Sequence, residues 1–282
     1  MAWFTRSSRS ALLALALTLG LIVNVPTLVK AQQSPSLANR LENAFRPPST
    51  PGPGSPVNTE PGGTRGPENG TDETQATAAQ SPCIAEGNKP FVALVPTKGV
   101  GETMVEHPTI AWYLPKISAK EAAAPMVEFV LTDSSDRQIY SARYPLAKNG
   151  DGIVGNPGIM RLAVTNLYPL EIGQEYRWTL KFMCNARDPQ NSDNLFVEGA
   201  FKRVAADPNF ARLVAQATPQ ERLAMYADQK LWYETLNTLI ELRRDRPNDL
   251  SLAEAWDRLL NVVGLGTISK EPVFQSASNI SN

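Results

Sequence analysis

Histidine occurs once and cysteine twice in 282 residues. A single histidine, His107, excludes His-rich metal sites, and Cys83 and Cys184 are too few for a four-cysteine zinc site. Ser-His-Asp or Cys-His catalysis would rest on His107 alone. That residue precedes Pro108 at the entrance to an apolar run, and no GxSxG elbow is present, so it reads as a turn residue. A basic surplus is also missing. Lys and Arg total 27 against 28 Asp and Glu, a net charge of -1, which argues against a nucleic-acid binder. No apolar run reaches the ~20 residues that span a bilayer. Proline, by contrast, is plentiful: 23 residues, with 18 glycines.

The longest apolar run is Ala11–Val23, broken only by Thr18 and Gly20. Arg6 and Arg9 precede it, and Val29-Lys30-Ala31 offers compact residues for cleavage after Ala31. This is the layout of a secretory signal peptide over residues 1–31, and Asn24 and Pro26 end the run too early for an anchor. No cysteine near the cut could carry a lipid. Removing residues 1–31 takes away Arg6, Arg9 and Lys30 and no acid, leaving 24 cations against 28 anions, or -4. No membrane span is expected after cleavage.

Residues 32–88 hold nine prolines and seven glycines and almost no large aliphatics. Such a segment buries too little apolar surface to offset its chain entropy, so it reads as a disordered arm. Leu37–Phe45 could form a short helical turn. Within the arm, the fragment Pro61-Gly62-Gly63-Thr64-Arg65-Gly66 could turn amides inward as an anion nest helped by Arg65. The competing reading is a flexible turn, since a phosphate loop needs a strand before it and a helix after it.

Residues 89–205 read as a β-sandwich. Seven short runs rich in β-branched and aromatic residues fall between turn signals: 91–95, 109–114, 126–132, 138–144, 160–165, 175–184 and 195–204. Seven strands in this length fit an immunoglobulin-like or fibronectin-like sandwich. The clearest alternation puts Tyr176, Trp178, Leu180, Phe182 and Cys184 on one face, which predicts that face as core. Tyr176 is the candidate corner tyrosine, bonding nearby backbone.

Residues 206–265 read as a small helical subdomain. Asp207-Pro208 is a helix start, and Thr218 with Glu221 and Ser251 with Glu254 have capping-box spacing. Leu231, Trp232, Leu236, Leu239, Ile240 and Leu242 recur at helical spacing until Arg246-Pro247 stops them. Trp256, Leu259, Leu260 and Val263 form a second apolar face ended by Gly264. These two helices resemble one tetratricopeptide-like hairpin, carried by Tyr226-Ala227, Trp232-Tyr233, Leu236, Leu239 and Pro247. A single such repeat cannot bury its face alone, so it packs on the sandwich, on itself or on a partner. Residues 266–282 read as a polar disordered tail. The fold class is therefore α+β, a sandwich followed by a helical unit.

The chain also resembles a known family. GGTRG (62–66), ALVP (93–96), PTIAWYLP (108–115), EFVLTD (128–133), YRWTLKFMC (176–184), FVEGAFKRV (196–204), LWYETLNTLIELR (231–243), Trp256–Leu260 and Val263-Gly264-Leu265 follow the order and spacing of the Domain of Unknown Function 928 family. The chain departs from that pattern at Ala200, where a bulkier residue is usual. The resemblance implies an exported envelope or periplasmic protein of a cyanobacterium. It implies no activity.

For function, the expectation is a non-catalytic module that binds an envelope protein or a glycan without a cofactor, and not an enzyme. Arg65, Trp112, Tyr113, Arg243 and Arg244 are the candidate interaction residues. Trp112 and Tyr113 could serve as exposed aromatics, and Glu241, Arg243, Arg244 and Arg246 could form a charged rim beside a groove between the two subdomains. The alternative is a carboxylate-dependent glycan hydrolase using two of Glu128, Asp133, Glu171, Glu175 and Glu198. In an oxidising compartment, Cys83 and Cys184 form a candidate disulfide, and a buried thiol at Cys184 beside a free Cys83 is the other reading. The bridge would close a loop of about 100 residues, worth at most ~4.7 kcal/mol in the chain-entropy model. A thiol titration of the native protein is expected to find no free thiol before reduction and two after it. Two free thiols in the native state would remove the bridge.

Overall fold

The structure is a computed structural model that describes residues 35–47, 84, 89–96, 100–118, 125–146, 153–154, 157–165, 169–185, 187 and 194–273. The signal segment 1–31, the GGTRG fragment with Arg65, and Cys83 lie outside the described residues. Strands come first: β1 (Val92–Ala93), β2 (Gly101–Thr103), β3 (Thr109–Leu114), β4 (Ile117–Ser118), β5 (Met126–Asp133), β6 (Gln138–Pro145), β7 (Ile153–Val154), β8 (Gly158–Ala163), β9 (Glu175–Met183) and β10 (Leu195–Arg203). One helix, α1 (Leu37–Phe45), precedes them. Four follow: α2 (Pro208–Gln216), α3 (Pro219–Asp228), α4 (Trp232–Asp245) and α5 (Leu250–Val262). The class is α+β. Each of the seven runs read from the sequence contains a strand. The strands that were not foreseen are β2, β4 and β7, of three, two and two residues.

The strands form a three-stranded sheet ordered β1-β3-β8, a five-stranded sheet ordered β2-β10-β9-β5-β6, and a β4-β7 ribbon. Every pairing between these strands is antiparallel except β2 with β10, which is parallel. Alternation along β9 buries Tyr176, Trp178, Leu180 and Phe182, as period two requires of a half-covered sheet. The two main sheets share one core, where the Phe91 and Phe182 rings meet at 6.1 Å. The Tyr176 hydroxyl accepts a hydrogen bond from the Glu171 N–H at 3.0 Å, as expected of the corner tyrosine. On the outer face, Glu128 pairs with Arg143 across β5 and β6 at 2.7 Å. Cys184 is buried just after β9, and no cysteine among the described residues is a free thiol.

The helix caps follow the sequence in two cases of three. The Asp207 carboxylate accepts the N–H groups of Asn209 and Phe210, both at 2.9 Å, and starts α2. Thr218 and Glu221 complete a reciprocal capping box at α3. For α5 the expected Ser251–Glu254 box is replaced by Asp249, which accepts the N–H groups of Ser251 and Leu252. Aspartate caps as well as serine and sits where the chain leaves its extended conformation, so the helix begins two positions earlier than that box requires. Gly264, at φ +81°, turns the chain after α5.

Three expectations are corrected by burial. Leu37–Phe45, read as at most a short turn inside the arm, is a nine-residue helix capped by Ser36. It packs on α5 and α3, with Leu41 fully buried and Phe45 meeting Trp232 edge-on at 5.0 Å. The tail read as disordered from residue 266 is instead ordered through Val273. A 3₁₀ turn at Gly266–Ile268 buries Ile268, Ser269 O accepts the Trp256 indole N–H at 2.9 Å, and Val273 bridges to Ile159. Finally, Trp112 and Tyr113 are each 2 % exposed, so neither is an exposed aromatic. They lie on the middle strand of the three-stranded sheet, and α4 packs against that strand. Every residue from Ile110 to Leu114 is buried, which means both faces of β3 are covered.

Gly199 shows how tight the sheet interface is. It stands opposite Trp178 in register, and an added Cβ would overlap the Trp178 indole and come within 2.7 Å of Val95 Cγ1. Gly199→Ala is therefore expected to cost ~1–3 kcal/mol through overpacking. Urea unfolding of the purified chain would check this, and an unchanged midpoint would mean the indole moves aside freely.

Candidate functional site

A cleft of about 510 Å³ opens where α3 and α4 meet the segment entering β3. Its position follows from α4, whose residues Glu234, Asn237, Thr238, Glu241 and Asp245 recur at three- and four-residue spacing and so share one face. All five line the cleft. Val105, His107 and Thr109 form a second wall from the segment between β2 and β3, and Pro219, Arg222 and Tyr226 of α3 form a third.

Glu234 is the deepest polar group, 7 % exposed. Its Oε1 accepts from Thr103 Oγ1 at 2.7 Å, Met104 N–H at 2.8 Å and Val105 N–H at 3.3 Å. These bonds fasten the chain leaving β2 to the first turn of α4. Oε2 is buried without a protein partner. Burial pushes the Glu234 carboxyl above its ordinary value of 4.5, and the bonds from Thr103, Met104 and Val105 pull only partly the other way. His107 repeats the pattern on the facing wall, where its Nδ1 is buried and unpartnered. Burial, then the Glu234 carboxyl, push the Tyr226 hydroxyl up, while Arg222 opposes and Glu241 adds a smaller push. Glu234 and Glu241 thus act on Tyr226 from α4, and Arg222 acts from one turn away on α3 itself.

The remaining charges are largely neutralised in place. Arg161, a 6 % exposed residue of β8, donates to Asn237 Oδ1 and to Glu241 Oε1, the latter at 3.1 Å. Arg244 pairs with Asp245 at 2.8 Å. Arg222 makes no ion pair among the described residues.

The candidate residues from the sequence are dispersed. Arg243 does not join a rim: its guanidinium lies over the Trp256 ring, 5.3 Å from the centroid, and burial lowers its pKa. Arg244 borders the cleft through Asp245, whereas Arg246 pairs with Asp249 at 3.4 Å on the turn into α5. Glu241 lines the cleft as a wall residue. Trp112 and Tyr113 are core, and Arg65 lies outside the described residues. None of the carboxylates suggested for hydrolysis lines the cleft. Glu128 is held by Arg143, Asp133 closes the β5–β6 turn by accepting Ser135 N–H and Arg137 N–H, and Glu198 is exposed on the outer face of the five-stranded sheet. The residues that do meet, Arg222, Tyr226, Glu234 and Asn237, had one usable signal. It was the polar stripe that interrupts an otherwise apolar α4. Among the described residues, no group of three or more His, Cys, Asp or Glu is placed to hold a metal ion, and no helix is long and apolar enough to cross a membrane.

Glu234 carries a pH signature. Its folded pKa lies above the unfolded value, so the native state holds the proton more tightly. The associated stability is complete below about pH 4.5 and is lost as pH rises through the folded value. Glu234→Gln keeps an oxygen for the three donors and removes the titration. In urea unfolding over a pH series, the variant is expected to gain stability relative to wild type as pH rises above 4.5. Parallel curves would show that Glu234 does not titrate in this way.

Comparison with known proteins comes down to one family. The family described as Domain of Unknown Function (DUF928) matches residues 60–273, a span that includes the GGTRG fragment and ends at the last described residue. No curated protein matches. Among solved structures, the crystal structure of Parabacteroides merdae β-glucuronidase shares 14% identity at a TM-score of 0.17. That likeness covers 36% of this chain and 13% of the glucuronidase, and it carries no argument about fold or activity. The family match covers every described strand and helices α2 to α5, including the α3 and α4 residues that line the cleft, and the chain belongs to the DUF928 family.

Proposed function

We propose that this chain is an exported envelope or periplasmic protein whose cleft binds a protein or glycan partner without catalysis. The observation that carries the reading is the pair of buried, unpartnered polar atoms, Glu234 Oε2 and His107 Nδ1, in residues on facing walls of one cleft. Buried polar groups are nearly all satisfied in folded proteins, so two unpartnered ones lining a single cleft call for a functional or solvent explanation. Export rests on the signal-like residues 1–31 and on the proposed Cys83–Cys184 bridge, which the lack of a free thiol among the described residues supports. In finer detail, we read the paired sheets as an immunoglobulin- or fibronectin-like sandwich and α4–α5 as a single tetratricopeptide-like hairpin. The Tyr176 corner and Pro247 after α4 favour that description.

Hydrolysis is the second reading, because Glu234 is held toward its protonated form in the same cleft as Glu241, which pairs with Arg161. Its geometry is less favourable. Seven residues along a helix separate the two by a rise of roughly 10 Å, and glycosidase carboxyls stand roughly 5–9.5 Å apart. Oε1 of Glu234 is also committed to three structural donors.

Affinity capture from envelope extract separates the readings. Wild type is expected to retain a protein or glycan that the Arg222→Glu, Thr238→Lys double variant does not. Glycan cleavage by the purified chain, abolished by Glu241→Gln, would overturn the non-catalytic reading.

A further inference from the structure

We propose that the cleft is a saccharide site, taking a neutral pyranose unit between Tyr226 and the polar face of α4. This rests on the interaction reading and narrows its ligand to one chemical class. The argument begins with charge. Glu241 and Asp245, which give the cleft its acidic look, are already neutralised by Arg161 at 3.1 Å and Arg244 at 2.8 Å. A cationic peptide side chain would have to compete with both. An ionic ligand would also meet opposing signs, since Arg222 on α3 faces carboxylates on α4. What remains unused is mixed hydrogen-bonding capacity: unpartnered polar atoms at Glu234 Oε2 and His107 Nδ1, and donors on Arg222. Burial moves Glu234 toward its neutral carboxyl, which both donates and accepts.

Neutral hydroxyls match that inventory. Each hydroxyl donates once and accepts twice, so a polyol satisfies walls of mixed polarity without bringing a charge into a half-enclosed space. The apolar part of the cleft fits the same ligand. Tyr226 is held against Phe210 at 6.4 Å between ring centroids, and Pro219, Val105 and Leu242 add apolar surface against which a pyranose C–H face can lie. At about 510 Å³ the cleft falls in the range of small-ligand sites. A single face of this size suits one or two sugar units of a longer chain.

The test uses the purified full chain on an array of neutral and acidic oligosaccharides alongside an array of Lys- and Arg-bearing peptides. Isothermal titration with the best neutral oligosaccharide then follows on variants. Wild type is expected to bind a neutral oligosaccharide. Tyr226→Ala and Arg222→Ala should each weaken it at least tenfold, while Arg143→Ala on the outer sheet face leaves it unchanged. Arg222 has no ion pair among the described residues, so its truncation reports on binding even if Tyr226→Ala fails to fold. Sugar binding that survives Arg222→Ala places the ligand elsewhere and overturns the proposal. Peptide binding lost in Arg222→Ala, with no sugar bound, overturns the saccharide class and leaves the interaction reading standing. If neither array is bound, the saccharide proposal falls, and capture from envelope extract decides the interaction reading separately.

Discussion

The first turn of α4 is enclosed on every side, and the rest of the molecule is organised by that enclosure. Successive helical residues point about 100° apart, yet Leu231 through Leu236 are all buried. Four of them carry polar side-chain atoms that must find partners; Thr235 donates back to Leu231 O within the turn, and the other three reach outward. The Trp232 indole N–H donates to Leu94 O at 3.1 Å, just beyond β1. The Tyr233 hydroxyl donates to Ala200 O at 2.9 Å and accepts from the Trp178 indole at 3.2 Å, joining β10 and β9. Glu234 holds the chain leaving β2. Three neighbouring side chains thus tie one helical turn to strands of both main sheets. Burial makes each bond costly to lose, because a stranded partner could not turn to water. Burial also pushes the Tyr233 hydroxyl far up, keeping it a neutral donor.

That anchoring explains where the cleft lies. Once the first turn of α4 is fixed against the sheets, the later turns project past the β2–β3 segment. The helix face between them is polar because nothing apolar covers it. α3 is held beside it by the tight turn at Lys230, at φ +56°. Arg161 rises from β8 to brace Asn237 and Glu241. The cleft is thus a seam between layers, and several of its lining side chains, Tyr233, Glu234, Asn237 and Glu241, also hold those layers together.

Much of the architecture was legible because it is local. Alternation in β9 and β5, the Tyr176 corner, the Asp207 and Thr218 caps and the stop at Arg246-Pro247 each depend on residues close in sequence. What escaped depends on distant partners. β2 is three residues long and exists only through its parallel pairing with β10, about a hundred positions away. Trp112 and Tyr113 look like one inward and one outward residue until α4 covers the second face of β3. Glu234 reads as an ordinary acid favoured at a helix start; only the three donors from residues 103–105 make it a buried acceptor. The tail past residue 265 looked too polar to fold, yet two of its apolar residues, Ile268 and Val273, fill positions against α5 and β8.

The lateness of α4 in the chain sets a schedule for folding. Both sheets are complete in sequence by Arg203, but the turn that closes over β2 and β3 begins at Trp232. At synthesis rates of ~5–20 residues per second, the apolar faces of these strands wait a few seconds for their cover. The five-stranded sheet must pass that interval with Phe201 and Trp178 lacking their Tyr233 neighbour. A truncated or stalled chain ending before α4 would remain in that sticky state. Loss of α4 is thus expected to uncover strands of both sheets at once rather than to remove a peripheral helix.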